Sequence, residues 1–189
     1  MKRIINNIIS VIYTTFRFLI IKVLHRENFS YNIIERFSPN VEIELEKGAR
    51  LSLGKKVRAH SGCKFKIRKG AHLIIEDEVS FNYNCMIFCH DKIVIKKGVE
   101  FGPNILIYDH DHDYKSKGGI KDKKFTTSAV EIGENTWIGA NVIILQGSKI
   151  GQNCVVAAGS VVKDNIDNNT VYIQQRKNIK KILYKGKRK

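Results

Sequence analysis

Ile132, Ile138, Ile144, Ile150, Val156 and Val162 recur every six residues without a miss. Helices repeat near 3.6 residues and pleated strands every two, so neither calls for a six-residue period. Gly133, Gly139 and Gly151 directly follow three of these aliphatics. Small or β-branched residues (Thr136, Val142, Ser148, Cys154, Ser160) fall four positions after successive ones. Such a period marks a parallel β-helix, in which each hexad is one short strand and a turn. Three hexads close a coil, and the aliphatic side chains stack as an internal column. The phase continues upstream with slips, through Leu53, Ala59 and Phe65, then Ile75, Phe81 and Ile87, then Ile95, Phe101 and Ile107. The two to four extra residues between sets predict small bulges at coil corners. The alternation Val41-Glu-Ile43-Glu-Leu45 predicts a first strand that caps the open end of the stack.

A chain of 189 residues suits one domain with a real core and a small appendage. Its 33 Lys and Arg against 18 Asp and Glu give a net charge of +15, which predicts an anionic partner. Nucleic acid is not expected, because no base-reading motif or aromatic-interleaved basic patch is visible. Cys63, Cys85, Cys89 and Cys154 form no CxxC pair. That pattern predicts free thiols in a reducing, cytoplasmic location, with no disulfide frame and no structural zinc.

Residues 1–30 predict an amphipathic helix. Ile5, Ile8, Ile9, Ile12, Phe16, Leu19, Ile20 and Val23 form one apolar stripe at helical spacing. Lys2, Arg3, Arg17, Lys22 and Arg26 surround it. Arg17 in mid-segment and the Asn6-Asn7 pair argue against a spanning helix, and no small-residue cleavage site follows. The pattern fits a helix lying in a membrane interface, peripheral on the inner face. The alternative is packing on its own domain or on a sister subunit.

The hexad phase also assigns outward residues. In Ile107-Tyr-Asp-His-Asp-His112, Ile107 and Asp111 take inward slots by phase and His112 faces out. A buried Asp111 is unfavourable, so the coil is expected to break near it and the loop to begin. Trp137 holds the equivalent outward slot after Ile132. Ile107 and Ile132 are 25 residues apart, one coil plus seven, which predicts His112 and Trp137 on one face of successive coils. An outward His beside an aromatic wall suits general base catalysis. Two imidazoles at spacing two, His110 and His112, lack a third ligand by spacing, so no metal is expected. Residues 113–129 form an excursion rich in lysine.

Over roughly residues 40–173, the chain resembles the hexapeptide-repeat acyltransferases. Ile132-Gly-Glu-Asn-Thr-Trp137-Ile-Gly-Ala-Asn141 and Ala158-Gly-Ser-Val-Val162 are the stretches that carry the likeness. More narrowly, it is similar to the branch containing maltose, galactoside and capsular-sugar O-acetyltransferases. The resemblance implies an all-β fold, a left-handed parallel β-helix over residues 31–173, with the N-terminal helix before it and a short basic, helical tail over 174–189. It implies a homotrimer with sites between subunits and acetyl-CoA as co-substrate. The acceptor would be a sugar hydroxyl of a surface polysaccharide or its precursor. An amino sugar nucleotide acetylated on nitrogen is the alternative, and a scaffold without activity a further one. The family's catalytic His follows a Pro-Asn pair by eight residues, which from Pro103-Asn104 gives His112. Its site Asn matches Asn84, and its oxyanion donor matches the Ala140 N–H. Trp137 and His110 are implied at the acceptor, and Gly139, Ala140, Ala158 and Lys163 at CoA. The family's usual Gly-Asn-Pro-Ala segment is replaced here by Gln174-Gln-Arg-Lys177, which leaves Arg176 and Lys177 to meet CoA phosphates. Asp109, Asp111 and Asp113 are all open as the group that orients His112.

Overall fold

The repeating aliphatics fold as three parallel sheets around one column of side chains. A computed structural model describes residues 2–32 and 34–174. Seven strands make the first face, from Phe29–Ser30 to Asn165–Ile166. Seven make the second, from Arg36–Phe37 to Val171–Tyr172, and six the third, from Glu42–Leu45 to Val161–Val162. Successive hexads visit the faces in turn. Ile132 pairs with Ile95 and Ile150 on the first face, Ile138 with Phe101 and Val156 on the second, and Ile144 with Ile107 and Val162 on the third. All of these side chains are buried. The small residues four positions on are buried too, as the corner fillers of the prism. Their hydroxyls close corner hydrogen bonds: Thr136 Oγ1 donates to the Gly151 carbonyl and Ser148 Oγ to the Leu145 carbonyl. Of the basic tail expected over 174–189, all but Gln174 lies outside the described residues, Arg176 and Lys177 included.

The extra residues of the early coils are not corner bulges. They lengthen strands on the first and third faces to four residues, as in Arg50–Leu53 and Lys64–Ile67. Each long strand then buries two residues, Leu51 with Leu53 and Phe65 with Ile67. Adding residues in pairs preserves the two-residue alternation, so every inward side chain stays inward.

Nor does the Val41–Leu45 segment cap the stack. The first coil already begins at Phe29, and the cap is the N-terminal helix, Lys2–His25. Its polar residues meet the unpaired edges of all three sheets. Thr14 Oγ1 donates to the Phe37 carbonyl and accepts from the Phe37 N–H, Lys22 Nζ donates to the Phe29 carbonyl, and Arg17 donates to the Val41 carbonyl. Phe18, 0% exposed, plugs the column against Phe29, Tyr31 and Phe37. Residues that interrupt the apolar stripe are thus the ones that seal an edge which would otherwise leave backbone groups unpaired.

Glu35, only 2% exposed, sits at the first corner beneath this cap. One carboxyl oxygen accepts from the Val57 N–H at 2.6 Å, while its Oε1 has no partner among the described residues. Burial pushes the carboxyl up to about 8 from an ordinary 4.5. The folded protein therefore holds a proton that the unfolded chain releases, so this site's stabilisation is lost as pH rises from about 4.5 through about 8. Melting temperature should fall across that window. Glu35→Gln should flatten the fall and raise the melting temperature above wild type at the alkaline end. Parallel melting curves for the two proteins over the whole range would refute the assignment.

Candidate active site

The imidazoles gather where the third face turns into the first. At this corner the coil is short: the strand Met86–Cys89 is followed at once by Lys92–Ile95, with only His90 and Asp91 between. So tight a turn leaves its amides facing inward, and a fully buried carboxylate answers them. Asp109 accepts from the His90 N–H and the Asp91 N–H, both at 2.8 Å. The chain then leaves the prism as a hairpin, with strand His110–His112 antiparallel to Phe125–Thr127.

On that hairpin, alternation puts His110 and His112 on one side. His110 stacks on His90 with ring centroids 3.5 Å apart, and Phe125 stands 4.7 Å from His112 and 5.4 Å from His110. Together with Tyr108 and Phe88 they line a cleft of about 640 Å³, rimmed by Arg68 and Lys69. His110 Nδ1 lies 3.3 Å from Asp109 Oδ1; a proton donated there leaves Nε2 as the basic nitrogen. Burial and the neighbouring His110 hold His90 below the usual imidazole value, so it is a neutral ring at neutral pH. Of the three aspartates left open by the sequence, Asp109 turns to His110, Asp111 accepts from Gln146 Nε2 at 2.8 Å, and Asp113 accepts from the Lys115 N–H.

Three sequence expectations change here. Asp111 is exposed on the hairpin, and Asp109 is the buried acid. The excursion begins at His110 rather than at residue 113, because both imidazoles of the His-rich run lie on the hairpin strand. His112 and Trp137 do not share a face. Ile107 lies on the third face and Ile132 on the first, so they occupy successive hexads, not equivalent slots. Trp137 points outward from the second face between Glu100 and Val155.

The other expected residues sit at a different corner, between the second and third faces. Asn84, Asn104 and Asn141 stack there with left-handed backbones (φ near +60°), a conformation that asparagine tolerates. Their side chains form a ladder, Asn84 to Asn104 at 3.3 Å and Asn104 to Asn141 at 3.1 Å. Gly139, Ala140 and Ala158 lie beside it in a tightly packed row. A Cβ on Gly102 would stand 2.8 Å from the Ala140 nitrogen, and one on Gly139 2.7 Å from the Ala158 nitrogen. Lys163 follows the last strand of the third face, on the corner of the imidazoles. Within one chain, the structure therefore brings His110 and His112 together and leaves Asn84 and Ala140 one sheet face away.

Sequence reading left Asp109 as one of three candidate orienting groups and missed His90 and Phe125. His90 was legible: it precedes His110 by twenty residues, the same step that pairs Met86 with Leu106. Phe125 gives no such signal, since hairpin pairing across a loop has no fixed step.

A family model described as bacterial transferase hexapeptide (six repeats) matches residues 129–164. A galactoside O-acetyltransferase of Lactococcus lactis is 38% identical over 94 residues, 48% of this chain and 43% of that protein. WbbJ of Escherichia coli K12, provisionally named a lipopolysaccharide-biosynthesis O-acetyl transferase, is 34% identical over 107 residues, 52% of this chain and 55% of that one. The chain spans about half the length of the curated relatives it matches. Among solved structures, that of AntD, an N-acyltransferase from Bacillus cereus in complex with dTDP and coenzyme A, superposes with a TM-score of 0.66 at 18% identity. It covers 79% of this chain and 80% of that one, a likeness of fold.

Proposed function

We propose that this chain, whose residues 129–164 match the bacterial transferase hexapeptide family, transfers acetyl from acetyl-CoA to a sugar hydroxyl of a surface glycan or its precursor. The observation that carries the reading is the cleft in which His110 and His112 face one side of the hairpin against Phe125. His112 takes the proton of the acceptor hydroxyl as its oxygen attacks the thioester carbonyl. The new C–O bond forms, and the tetrahedral oxyanion lies against the Ala140 N–H. Collapse breaks the C–S bond, and His112 returns the proton to the CoA sulfur. The protein is then restored, with acetyl ester and free CoA as products.

In this reading the protein is a homotrimer. The Ala140 corner and the His112 corner of one chain lie a sheet face apart, and a neighbouring subunit brings one against the other. Gly139, Ala158 and Lys163 would line the CoA path, and Trp137 and Asn84 the acceptor. Mixing the purified protein and acetyl-CoA with a galactoside tests the proposal through thiol release and the mass of the product. An acetyl group that mild alkali removes is the expected result. An alkali-stable acetyl on an amino sugar nucleotide, with none on the hydroxyl acceptor, would replace O-acetylation by N-acetylation.

A further inference from the structure

The helix that caps the β-helix wears its apolar side outward. Ile8, Ile12, Phe16, Leu19, Ile20 and Val23 are all more than half exposed, Phe16 at 67% and Ile20 at 61%. Contiguous apolar surface of this extent on a folded protein marks a contact surface. The opposite side is fully used, since Thr14, Arg17, Phe18 and Lys22 hold the sheet edges and the end of the core. The face is thus presented on a held helix, about 23 Å from Ile8 to Val23 at 1.5 Å per residue.

Charge selects the occupant. Residues 1–26 contain Lys2, Arg3, Arg17, Lys22 and Arg26 and no acidic residue. Beside the helix, Arg36 and Arg58 lie in register on adjacent strands of the second face. They line a cleft of about 660 Å³ shared with Asn7 and Ser10 of the helix. A second copy of this surface would bring two acid-free cationic segments together. An anionic bilayer offers both of the missing complements, apolar depth for the stripe and negative charge for its rim. Asn7–Asn28 is long and apolar enough to cross a bilayer by length and composition. Crossing, however, would strip Thr14, Arg17 and Lys22 from the strand edges and Phe18 from the core.

We propose that this end of the molecule docks on anionic lipid bilayers, with the helix lying flat in the interface and its apolar face in the lipid. The proposal is independent of the acetyl-transfer reading, because its test reads binding alone. The full chain is sedimented with vesicles of phosphatidylcholine, with and without phosphatidylglycerol, at low and high salt. Pelleting with the anionic vesicles, at least about tenfold weaker partition on neutral ones and partial release by salt are expected. Phe16→Ser with Ile20→Ser should weaken partition by about tenfold or more with the melting temperature unchanged. If that variant misfolds, Phe16→Trp supplies the reading: its added fluorescence should shift to the blue and be quenched by brominated lipid. Protein that stays in the supernatant with anionic vesicles overturns the proposal. So does self-association that the double variant abolishes, which would make the occupant a second copy. Release from vesicles by detergent but not by alkaline carbonate would also overturn it, in favour of a spanning helix.

Discussion

Replacing His112 with alanine is expected to lower acetyl transfer about 10²–10⁴-fold, the usual cost of losing a general base, while the fold and CoA affinity stay near wild type. The side chain is exposed on the hairpin, with its ring against Phe125, so truncation removes little packing. His110→Ala makes a different loss. That ring stacks on His90 and faces the buried Asp109, and its removal should loosen the corner as well as the site. Turnover measured alongside melting temperature separates the two variants. Activity lost at unchanged stability for His112 supports its role as base. Near-wild-type turnover in His112→Ala, with loss only in His110→Ala, would move the base to His110, which Asp109 already orients.

The column of the β-helix was legible because a strict six-residue step has one structural solution. Each of Leu53, Ala59, Phe65, Ile75, Phe81, Ile87, Ile95, Phe101 and Ile107 is buried, as their phase requires. What the step cannot carry is anything that leaves the coil. The count from Ile107 to Ile132 divides equally well into a coil plus a short loop or a single hexad plus a long hairpin. Only the pairing of Ile107 with Ile144 and of Ile132 with Ile95 decides between them. That ambiguity misplaced Trp137 relative to His112. Polarity on the N-terminal helix was only partly legible for a related reason. Arg17 and Lys22 stood out as cations around an apolar stripe, yet with Thr14 each satisfies a strand edge, and the need for those partners arises from chain segments far along the sequence. Asp109 follows the same logic, since its value lies in two amides of the preceding coil.

Ile144→Asp should leave no soluble, cooperatively melting protein. Ile144 is 0% exposed and sits on the third face between Ile107 and Val162. A carboxylate there has aliphatic neighbours above and below and no cation within the column to pair with. Burying an unpaired charge costs several kcal/mol even after protonation relieves part of it. Lost packing of the isoleucine adds about 2–5 kcal/mol. The sum rivals the 5–15 kcal/mol that holds a typical domain together. Because coils contact only their neighbours, the break should also split the stack into unequal halves. Lys149→Asp, an outward change five residues on, provides the control and should shift stability by about 0.5 kcal/mol or less. Soluble yield and thermal melting of the two variants give the comparison. If Ile144→Asp melts cooperatively near wild type, the inward assignment of Ile144 is wrong. The placement of every other side chain in phase with it, including the outward Trp137, would then have to be redrawn.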